Sequence, residues 1–408
     1  MTDHRQATYR RLSPAPPSPT PSAPFVRTPS RTRLVLLILA GTSAALVGVY
    51  RADIGSSGLG RLERCGADLY DEHGFLHMEK RAEGAEDIRW IPYTAENVYP
   101  SSLDAVADIY NTSVHPSDAD MASSPPAYST LLETDPQSPS LSFARNSTIV
   151  LVGDSHDRKN LESMCSRVPG AVRHAFDGHL KWGCSLPSIG LNFVLLFHYG
   201  LMTEDEPFRD VHDQPPNLIE HRVDQILLPM LQEFTPSTPS LIVFQSGFWD
   251  LRYWGLRAKA EGANAQGRLA AGLVNGGNRP LLWSELKWYR RRFGEVLEAL
   301  KAKFPNSGII TRTIQPYRDN RNGRNVAIFE MNESIKAISR LHDIATMRFI
   351  WPANLFLCTG AELLQGTESY ADDQHFEIGS LPYRLWMNMV LYHLERSFLG
   401  CLHGGDRL

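Results

Sequence analysis

Residues 148–158 have the sequence TIVLVGDSHDR, in which an apolar, β-branched run stops abruptly at Gly153. Such a run predicts a buried strand, and the residues behind it predict a helix. A strand that turns sharply into a helix at Gly-Asp-Ser presents the Ser155 hydroxyl at the strand end, which suits a nucleophile. A serine hydroxyl is weakly nucleophilic at its usual pKa. A histidine base, and a group that orients it, should therefore lie elsewhere in the chain.

Composition narrows the class of protein. The chain has 408 residues and 42% hydrophobic content, enough for one large globular domain with additional segments. The net charge of −4 indicates no particular partner, and no long basic stretch interleaved with aromatic residues is present, so nucleic acid is not an expected partner. The five cysteines form no CxxC pair, which argues against a structural zinc site, and their odd number leaves at least one unpaired.

The N-terminal region predicts a membrane anchor. Residues 1–33 are rich in proline, serine and arginine and predict a disordered cytoplasmic tail. Residues 34–50, LVLLILAGTSAALVGVY, carry no charge, and seventeen residues is the lower limit for crossing a bilayer. A cleaved signal peptide and a buried helix of a soluble protein are the alternatives. The long polar leader favours an uncleaved, single transmembrane signal anchor.

Charges flanking residues 34–50 predict the orientation. Six arginines precede the span and only Arg51 follows closely, so the positive-inside rule places the N-terminus in the cytoplasm and the rest of the chain in the lumen. This is a single-pass type II topology. Three N-glycosylation sequons fit a lumenal location, and they begin at Asn111, Asn146 and Asn332.

The remaining chain divides into two regions. Residues 51–142 predict a lumenal stem, a small N-terminal piece near Cys65 to Tyr93, and a flexible linker rich in Ser, Pro, Asp and Thr. Residues 143–402 predict the catalytic domain, because strands and helices alternate there, as in an α/β protein with a parallel sheet covered on both faces. In such sheets, sites form at the carboxyl ends of the strands, where Ser155 lies. The predicted strands are 147–152, 192–197, 240–245 and 307–313, and the predicted helices are 157–165, 223–234, 283–304, 326–345 and 382–398.

A short acidic motif supplies the partners that Ser155 requires. In Asp372-Asp373-Gln374-His375 an aspartate lies three residues before a histidine. On a turn, the Asp372 carboxylate can reach the ring nitrogen of His375 that does not face the serine. Asp372 would then hold the tautomer, and His375 would accept the proton of Ser155. Asp373 could substitute for Asp372, and a solvated acidic loop is the alternative interpretation.

Acyl chemistry also needs donors for an oxyanion. The backbone N–H of Ser155 is one candidate, and the side-chain amide of Gln245, at the end of a predicted strand, is another. A strand-edge glutamine bonded to backbone is an equal alternative. Several histidines have no second ligand at a diagnostic spacing, so no metal site is predicted. These histidines are His156, His174, His179 and His198.

Four blocks in this order resemble those of the PC-esterase branch of the GDSL/SGNH superfamily, which includes the trichome-birefringence-like polysaccharide O-acetyltransferases and related acyl-esterases. The blocks are Gly153-Asp154-Ser155-x-x-Arg158 followed by Glu162-Ser163-x-Cys165, Phe244-Gln245-Ser246-Gly247-x-Trp249, Arg312-Thr313-x-x-Pro316, and Asp372-x-x-His375 with Trp386 downstream. The resemblance covers roughly residues 145–400. It implies a three-layer α/β/α flavodoxin-like fold and a catalytic triad of Ser155, His375 and Asp372.

The resemblance also implies a function. The chain would be a type II membrane acyltransferase of the Golgi or another secretory-pathway membrane, moving an acyl group, expected to be acetyl, to a glycan hydroxyl through an acyl-serine. The first alternative is an acyl-esterase that removes O-acyl groups from glycans or lipids, and the second is a non-catalytic glycan-binding scaffold. The expected partner is a carbohydrate substrate. No bound cofactor is expected, and the acyl donor would be acetyl-CoA or an acylated intermediate.

The chain departs from the family pattern at several positions. Gln245 stands where the family has an asparagine, and the oxyanion glycine is sought among Gly178, Gly183 and Gly190, with Gly183 chosen as the candidate. Arg158 could contact an acyl donor, although a salt bridge to Glu162 is the alternative. The insert 255–278 is long enough to cover an acceptor groove, with a surface loop as the alternative. Disulfides are suggested for Cys165 with Cys184 and for Cys358 with Cys401.

Overall fold

The computed structural model describes part of the chain. The described residues are 65, 68–71, 74–80, 86–92, 124–177, 181–203, 215–234, 238–260, 280–317, 324–348, 371–372 and 374–402. The predicted tail, the membrane anchor at 34–50, Asn111, Gly178, His179, Cys358, Asp373 and most of the insert at 255–278 lie outside them. No helix among the described residues is long and apolar enough to cross a membrane.

The described elements alternate between strands and helices through most of the chain. In order they are β1 (Gly74–Lys80), β2 (Glu86–Pro92), α1 (Tyr128–Thr134), a 3-10 helix (Pro139–Ala144), β3 (Thr148–Gly153), α2 (Ser155–Arg167), β4 (Val172–Asp177), β5 (Lys181–Leu186), β6 (Leu191–Phe197), α3 (Ile219–Arg222), a π-helical turn (Val223–Leu227), α4 (Leu228–Phe234), β7 (Leu241–Phe244), α5 (Phe248–Ala260), α6 (Trp283–Lys303), β8 (Gly308–Arg312), α7 (Arg324–Leu341), β9 (Ala345–Met347) and α8 (Leu381–Phe398).

A seven-stranded sheet in the order β4-β5-β6-β3-β7-β8-β9 forms the centre. The five strands from β6 to β9 are parallel, as predicted, and their order is the doubly wound, flavodoxin-like one. The prediction of a purely parallel sheet is wrong at one edge, where β4, β5 and β6 pair antiparallel. Only three residues separate β4 from β5 and four separate β5 from β6, and connections this short allow only antiparallel pairing.

Strand β3 contributes side chains to two separate core layers. Alternate residues of a strand point to opposite faces, and all six residues of β3 are buried. Ile149 and Leu151 pack in a cluster with side chains of α2 and α8. Val150 and Val152 pack on the other face with side chains of the π-helical turn, α6 and α7. The arrangement is therefore three-layered, and β3 is continuously apolar because both of its faces are covered.

Residues 124–142 do not form the predicted flexible linker. Helix α1 and the 3-10 helix bury Tyr128, Leu132 and Leu141 in the same core cluster as α8. The Tyr128 hydroxyl also donates to Glu395, and the backbone N–H of Ser129 donates to Asn388 Oδ1 at 2.7 Å. The segment is polar in composition, but its few apolar side chains pack against α8, a helix far away in sequence. The domain therefore begins before residue 143.

The small N-terminal piece packs against α8. Strands β1 and β2 form an antiparallel hairpin, and Trp90 at the end of β2 is 2% exposed. The Trp90 indole donates to the carbonyl oxygen of Leu69, whose own N–H donates to the Tyr392 hydroxyl of α8, both at 3.0 Å. The rings of Tyr70 and Tyr392 meet edge to face at 5.3 Å.

Two disulfides join described cysteines. The suggested Cys165–Cys184 bond is confirmed and connects α2 to β5. The suggested Cys358–Cys401 bond is wrong, because Cys401 is bonded to Cys65. Arg396 Nη1 donates to the Cys65 carbonyl at 2.8 Å, which helps to hold the two segments together.

One predicted glycosylation site is incompatible with the fold. Asn332 is fully buried in α7, where its Nδ2 donates to the Ile314 carbonyl and its Oδ1 accepts from the Ile314 N–H, at 2.9 and 2.7 Å. A glycan on Nδ2 would break this pairing and could not fit in the core. The prediction for Asn332 is therefore wrong. Asn146 is exposed just before β3, and its glycosylation stays a prediction.

The Cys65–Cys401 bond generates a stability prediction. We expect Cys65→Ser combined with Cys401→Ser to lower the free energy of unfolding by about 2–5 kcal/mol, because the bond restricts the unfolded chain. Urea unfolding under non-reducing conditions measures the change. Cys358→Ser is the matched control, since Cys358 belongs to neither bond, and we expect little change from it. An equal loss in both variants, or more than one titratable thiol in the unfolded, unreduced protein, would contradict the assignment.

Candidate active site

Ser155 occupies the turn between β3 and α2. Asp154 precedes the helix as its N-cap, and its carboxylate accepts the backbone N–H of His156 at 2.9 Å. Ser155 is the first residue of α2, so its own N–H has no acceptor within the helix. The positive end of the helix dipole also lies at the serine, where it favours a developing negative charge.

Gly153 allows the first turn of α2 to pack closely on the end of β3. A Cβ at this position would lie 1.8 Å from Asp157 Oδ2. That same oxygen accepts from Arg312 Nη2 at 2.9 Å, and both side chains are almost completely buried. The glycine of the Gly-Asp-Ser motif is therefore required by the Asp157–Arg312 ion pair that lies against it.

The structure brings the three predicted triad residues together. His375 Nε2 lies 2.8 Å from Ser155 Oγ, and His375 Nδ1 lies 2.8 Å from Asp372 Oδ2. The other carboxylate oxygen of Asp372 accepts the backbone N–H groups of Gln374 and His375, at 2.7 and 2.8 Å. A tight turn therefore aims the Asp372 carboxylate at the ring, although its side chain is 56% exposed while that of His375 is 18% exposed.

The protonation states suit a general base. Burial lowers the pKa of His375, the neighbouring His156 lowers it further, and Asp372 opposes both. For Asp372, burial acts to raise the pKa, but the hydrogen bonds from the His375 ring and from two backbone N–H groups give a net lowering. Near neutral pH the His375 ring is therefore neutral, donates from Nδ1 to an ionised Asp372, and accepts the Ser155 hydroxyl at Nε2.

Gln245 lies at the end of β7, directly beside β3, but its side chain is buried. The residue is 1% exposed, and its carbonyl oxygen accepts from His198 Nε2 at 2.8 Å. The nearby side-chain amide helps to lower the pKa of the Asp154 carboxyl, although both amide atoms are buried without a hydrogen-bond partner among the described residues. The burial of Gln245 favours a structural role over that of a donor exposed to substrate.

Gly183, the candidate oxyanion glycine, does not lie at the site. It pairs with Val194 of β6, which in turn pairs with Val150 of β3, so it lies two strands away from β3 and roughly 10 Å below the strand end. Gly190 precedes β6 and so lies at the opposite edge of the sheet. The choice of Gly183 is therefore wrong, because the antiparallel edge strands were not predicted.

Gly200, three residues after the end of β6, is a glycine that does lie at the active edge. It has a φ of +96°, and a Cβ there would lie 3.0 Å from Asp250 Oδ1. Its N–H donates to His198 Nδ1 at 3.2 Å. The sequence offered one signal for this position, since Gly200 is the first glycine after the predicted strand at 192–197.

Arg158 lies one turn into α2, with its guanidinium 6.0 Å from the centre of the Phe197 ring at the end of β6. Burial lowers the pKa of Arg158, and the nearby Glu162 carboxylate opposes that change. Glu162 also forms an ion pair with Arg173 at 3.2 Å. Arg158 is therefore half-buried next to the aromatic ring at the end of β6.

Asp250 is a buried carboxylate whose role was not predicted from the sequence. Its Oδ1 accepts the N–H of Leu201 at 2.7 Å, and its Oδ2 accepts the Ser246 hydroxyl at 2.5 Å. These bonds connect the loop after β6 to the loop after β7. Burial raises the pKa of Asp250 to about 6, although the hydrogen bonds from Ser246 and Leu201 act to lower it.

The fold and the site together define a structural class: an α/β protein with a doubly wound sheet and a Ser-His-Asp triad at the carboxyl edge of its strands. Within the described ranges, no cluster of three His, Cys, Asp or Glu side chains could hold a metal ion.

Comparisons with known proteins give neighbours in structure only. No protein-family model matches the chain, and no curated protein matches it. A GDSL-like lipase from Parabacteroides merdae aligns with 11% identity and a TM-score of 0.33 over 61% of this chain and 97% of that one. An acetylxylan esterase from Geobacillus stearothermophilus aligns with 12% identity and a TM-score of 0.30 over 64% and 96%. A further acetyl xylan esterase aligns with 11% identity and a TM-score of 0.31 over 61% and 98%.

Similar solved structures thus include a GDSL-like lipase and acetylxylan esterases. TM-scores near 0.3 carry no argument about activity, which rests on the geometry of the site itself. The resemblance to the PC-esterase branch stays a prediction.

The raised pKa of Asp250 generates a pH prediction. The folded state holds this proton more tightly than the unfolded chain, so the stability it contributes is complete below about pH 4 and is lost as the pH rises through about 6. Replacing the carboxyl with an amide removes this dependence. As the pH rises from 4 to 7, wild type loses this contribution and Asp250→Asn does not. We therefore expect the free energy of unfolding of Asp250→Asn, measured relative to wild type, to increase by up to about 3 kcal/mol over this range. Urea unfolding at each pH measures it, and a pH-independent difference would contradict the prediction.

Proposed function

We propose that this protein is a serine-dependent enzyme of acyl-ester chemistry, in which Ser155 forms an acyl-serine intermediate. The observation that carries the proposal is the unbroken chain of hydrogen bonds from Asp372 through a neutral His375 to the Ser155 hydroxyl. These three groups are a nucleophile, a base and an orienting carboxylate in the geometry that acyl transfer requires.

The first half of the reaction forms the acyl-serine. Ser155 Oγ attacks the ester carbonyl carbon while His375 Nε2 accepts the hydroxyl proton. The ring then carries two protons, and Asp372 stabilises the resulting charge through Nδ1. As the tetrahedral intermediate collapses, the carbon–oxygen bond to the leaving alcohol breaks, and His375 returns the proton from Nε2 to that alcohol. The acyl group remains on Ser155.

The second half of the reaction transfers the acyl group onward. A hydroxyl group, from water or from a sugar, loses its proton to His375 and attacks the acyl-serine carbonyl. Ser155 Oγ leaves and recovers the proton from His375. Water as acceptor gives an esterase, and a glycan hydroxyl gives an acyltransferase. The triad serves both outcomes equally.

The oxyanion would be stabilised at the N-terminus of α2. The Ser155 N–H is free of intrahelical bonding, and the helix dipole supplies positive potential there. The Gly200 N–H lies at the same edge of the sheet but donates to His198 in this structure. A small rotation of the His198 ring, or of the Gly200 peptide, would be needed before this second donor could turn toward substrate.

For the substrate we propose an O-acylated carbohydrate. The resemblance of the four sequence blocks to the PC-esterase branch supports this choice. The same resemblance supports acetyl transfer to a glycan hydroxyl as the finer proposal, with acetyl-CoA or an acylated intermediate as donor.

A location in the secretory pathway is part of the same proposal. The two disulfides support it, because such bonds persist mainly in oxidising compartments. The type II anchor in a Golgi or related membrane rests on the sequence of residues 34–50 and on the arginines before it. Residues 34–50 and the arginines before them lie outside the described residues, so the anchor and its location are proposed from sequence.

The triad generates the first functional prediction. We expect Ser155→Ala to abolish cleavage of a chromogenic acetyl ester. We expect Asp372→Asn to lower kcat/KM by about 10²–10⁴-fold, because the His375 ring loses the charge that orients it. Asp373→Asn is the matched control and should lower kcat/KM far less. Wild-type turnover in Ser155→Ala would show that the nucleophile is assigned wrongly. Equal losses in the two aspartate variants would withdraw the special role of Asp372.

A product analysis separates the candidate functions. The full chain is incubated with a chromogenic acetyl ester, with and without an oligosaccharide acceptor, and the products are identified by mass spectrometry. We expect acetylated oligosaccharide if the acyltransferase proposal is correct, since a bound sugar hydroxyl would outcompete water. Acetate alone would establish an esterase and reject transfer. No turnover of either kind would favour the non-catalytic glycan-binding scaffold.

A further inference from the structure

A second aspartate–histidine pair flanks the nucleophile and has no part in the triad. Asp154 and His156 lie on either side of Ser155, and each is at most 2% exposed. Asp154 Oδ1 lies 2.9 Å from His156 Nδ1 and also accepts the backbone N–H of His156. On the other side of the ring, His156 Nε2 lies 3.2 Å from the carbonyl oxygen of Gln374, the residue before His375.

The partners of each imidazole at this edge indicate its protonation. His198 donates from Nε2 to the Gln245 carbonyl and accepts the Gly200 N–H at Nδ1, so it is neutral. His375 donates to Asp372 and accepts from Ser155, and it is also neutral. His156 faces two oxygens that only accept, a carboxylate and a backbone carbonyl. Both of its nitrogens must therefore carry protons to satisfy both contacts.

The carboxylate beside His156 is held in its ionised form. Burial alone would raise the pKa of Asp154, but the charge and hydrogen bond of His156, with help from Arg312 and Gln245, hold it well below its ordinary value. An ionised Asp154 has no proton to offer to Nδ1, so the proton in that contact belongs to the ring. A buried imidazolium paired with a buried carboxylate also avoids leaving either charge alone in the core.

The His156 ring is packed directly against the catalytic base. The centres of the His156 and His375 rings lie 4.7 Å apart, and the angle between the two ring planes is 28°. Phe248 covers the opposite face of the His156 ring at 4.2 Å and 17°. The His156 ring is therefore packed between Phe248 and His375. Its contact with the Gln374 carbonyl also connects it to the loop that carries His375.

We propose that His156 is a positioning residue of the triad, held as an imidazolium by Asp154 and the Gln374 carbonyl, whose ring and charge keep His375 oriented and neutral. The inference rests on the proposed function for its catalytic meaning, but not for the charge state of His156. The contacts also give His156 a second effect. Once His375 has accepted the serine proton, the adjacent cation favours its release to the leaving alcohol. The same charge makes the ring a weaker base, so it assists proton release at some cost to proton acceptance.

Further titratable and charged groups lie near this pair of rings. Burial and the contact with His156 lower the pKa of His375, Asp372 and Asp154 act to raise it, and the net change is a lowering. The surrounding titratable and charged groups are Asp154 and Asp157 at the start of α2, Arg312 at the end of β8, His198 after β6, Asp250 in α5, and Asp372 in the turn before His375.

A charge-neutral pair of substitutions tests the proposal without leaving a buried ion. His156→Phe with Asp154→Asn keeps an aromatic ring under His375 and keeps an N-cap acceptor for α2, while both charges disappear. We expect the acid limb of the kcat/KM profile to move upward by about one pH unit. At pH 5 this would appear as a loss of activity about ten-fold greater than the loss at pH 8.

The matched control changes the packing without the charge. Phe248→Leu removes the ring on the far face of His156, so it should lower kcat but leave the midpoint of the acid limb in place. A structural role for His156 alone would lower kcat in both variants and shift neither midpoint. An unshifted midpoint in the charge-neutral pair would therefore overturn the proposal.

The charge state of His156 is measured independently of turnover. Nitrogen-15 spectra of the histidine-labelled full chain, in a Ser155→Ala background, report whether each ring carries one proton or two. The His156 signals are identified by their loss in the charge-neutral pair. We expect two protonated nitrogens on His156 at pH 7 and one on His198. A singly protonated His156 would overturn the inference, even if the wild-type protein hydrolyses no ester and the proposed function itself fails.

Discussion

The ion pair between Asp157 and Arg312 determines where the nucleophile lies. Asp157 is two residues after Ser155 in the first turn of α2, and Arg312 ends β8, two strands away from β3. The contact therefore spans the carboxyl edge of the sheet and fixes the helix to it. Because both side chains are buried, loss of one partner would leave an uncompensated charge and cost about 3–5 kcal/mol. Gly153 leaves room for this contact, because a side chain at that position would collide with Asp157.

Much of the fold and of the triad could be predicted from sequence because the signals are local. Strand β3 is continuously apolar, and a carboxylate three residues before a histidine can reach its ring within a single turn. Features that depend on distant packing could not be predicted. The Cys65–Cys401 bond, the antiparallel edge strands and the burial of Asn332 all arise from contacts between segments far apart in sequence. Glycosylation sequons and cysteine spacing carry no information about such contacts.

The site shows the same division between local and distant contacts. Asp154 and His156 are visible in the Gly-Asp-Ser-His motif, but the second acceptor of the His156 ring, the Gln374 carbonyl, lies 218 residues further along the chain. Gln245 shows the converse, since its position at a strand end suggested a candidate oxyanion donor while its side chain is buried. Charges at this edge are arranged in adjacent, compensated pairs, Asp154 with His156 and Asp157 with Arg312. Burial of several ions next to Ser155 is tolerated for that reason.

The bond between Cys65 and Cys401 joins residues 336 positions apart, so almost the entire described chain is a covalent ring. Ser155 lies on one side of the long insert at 255–278, and His375 lies on the other. A single peptide-bond cleavage in that insert would open the ring without dividing the molecule. The nucleophile and its base would then belong to two polypeptides that remain one covalent species, and the sheet between them would still have every strand attached.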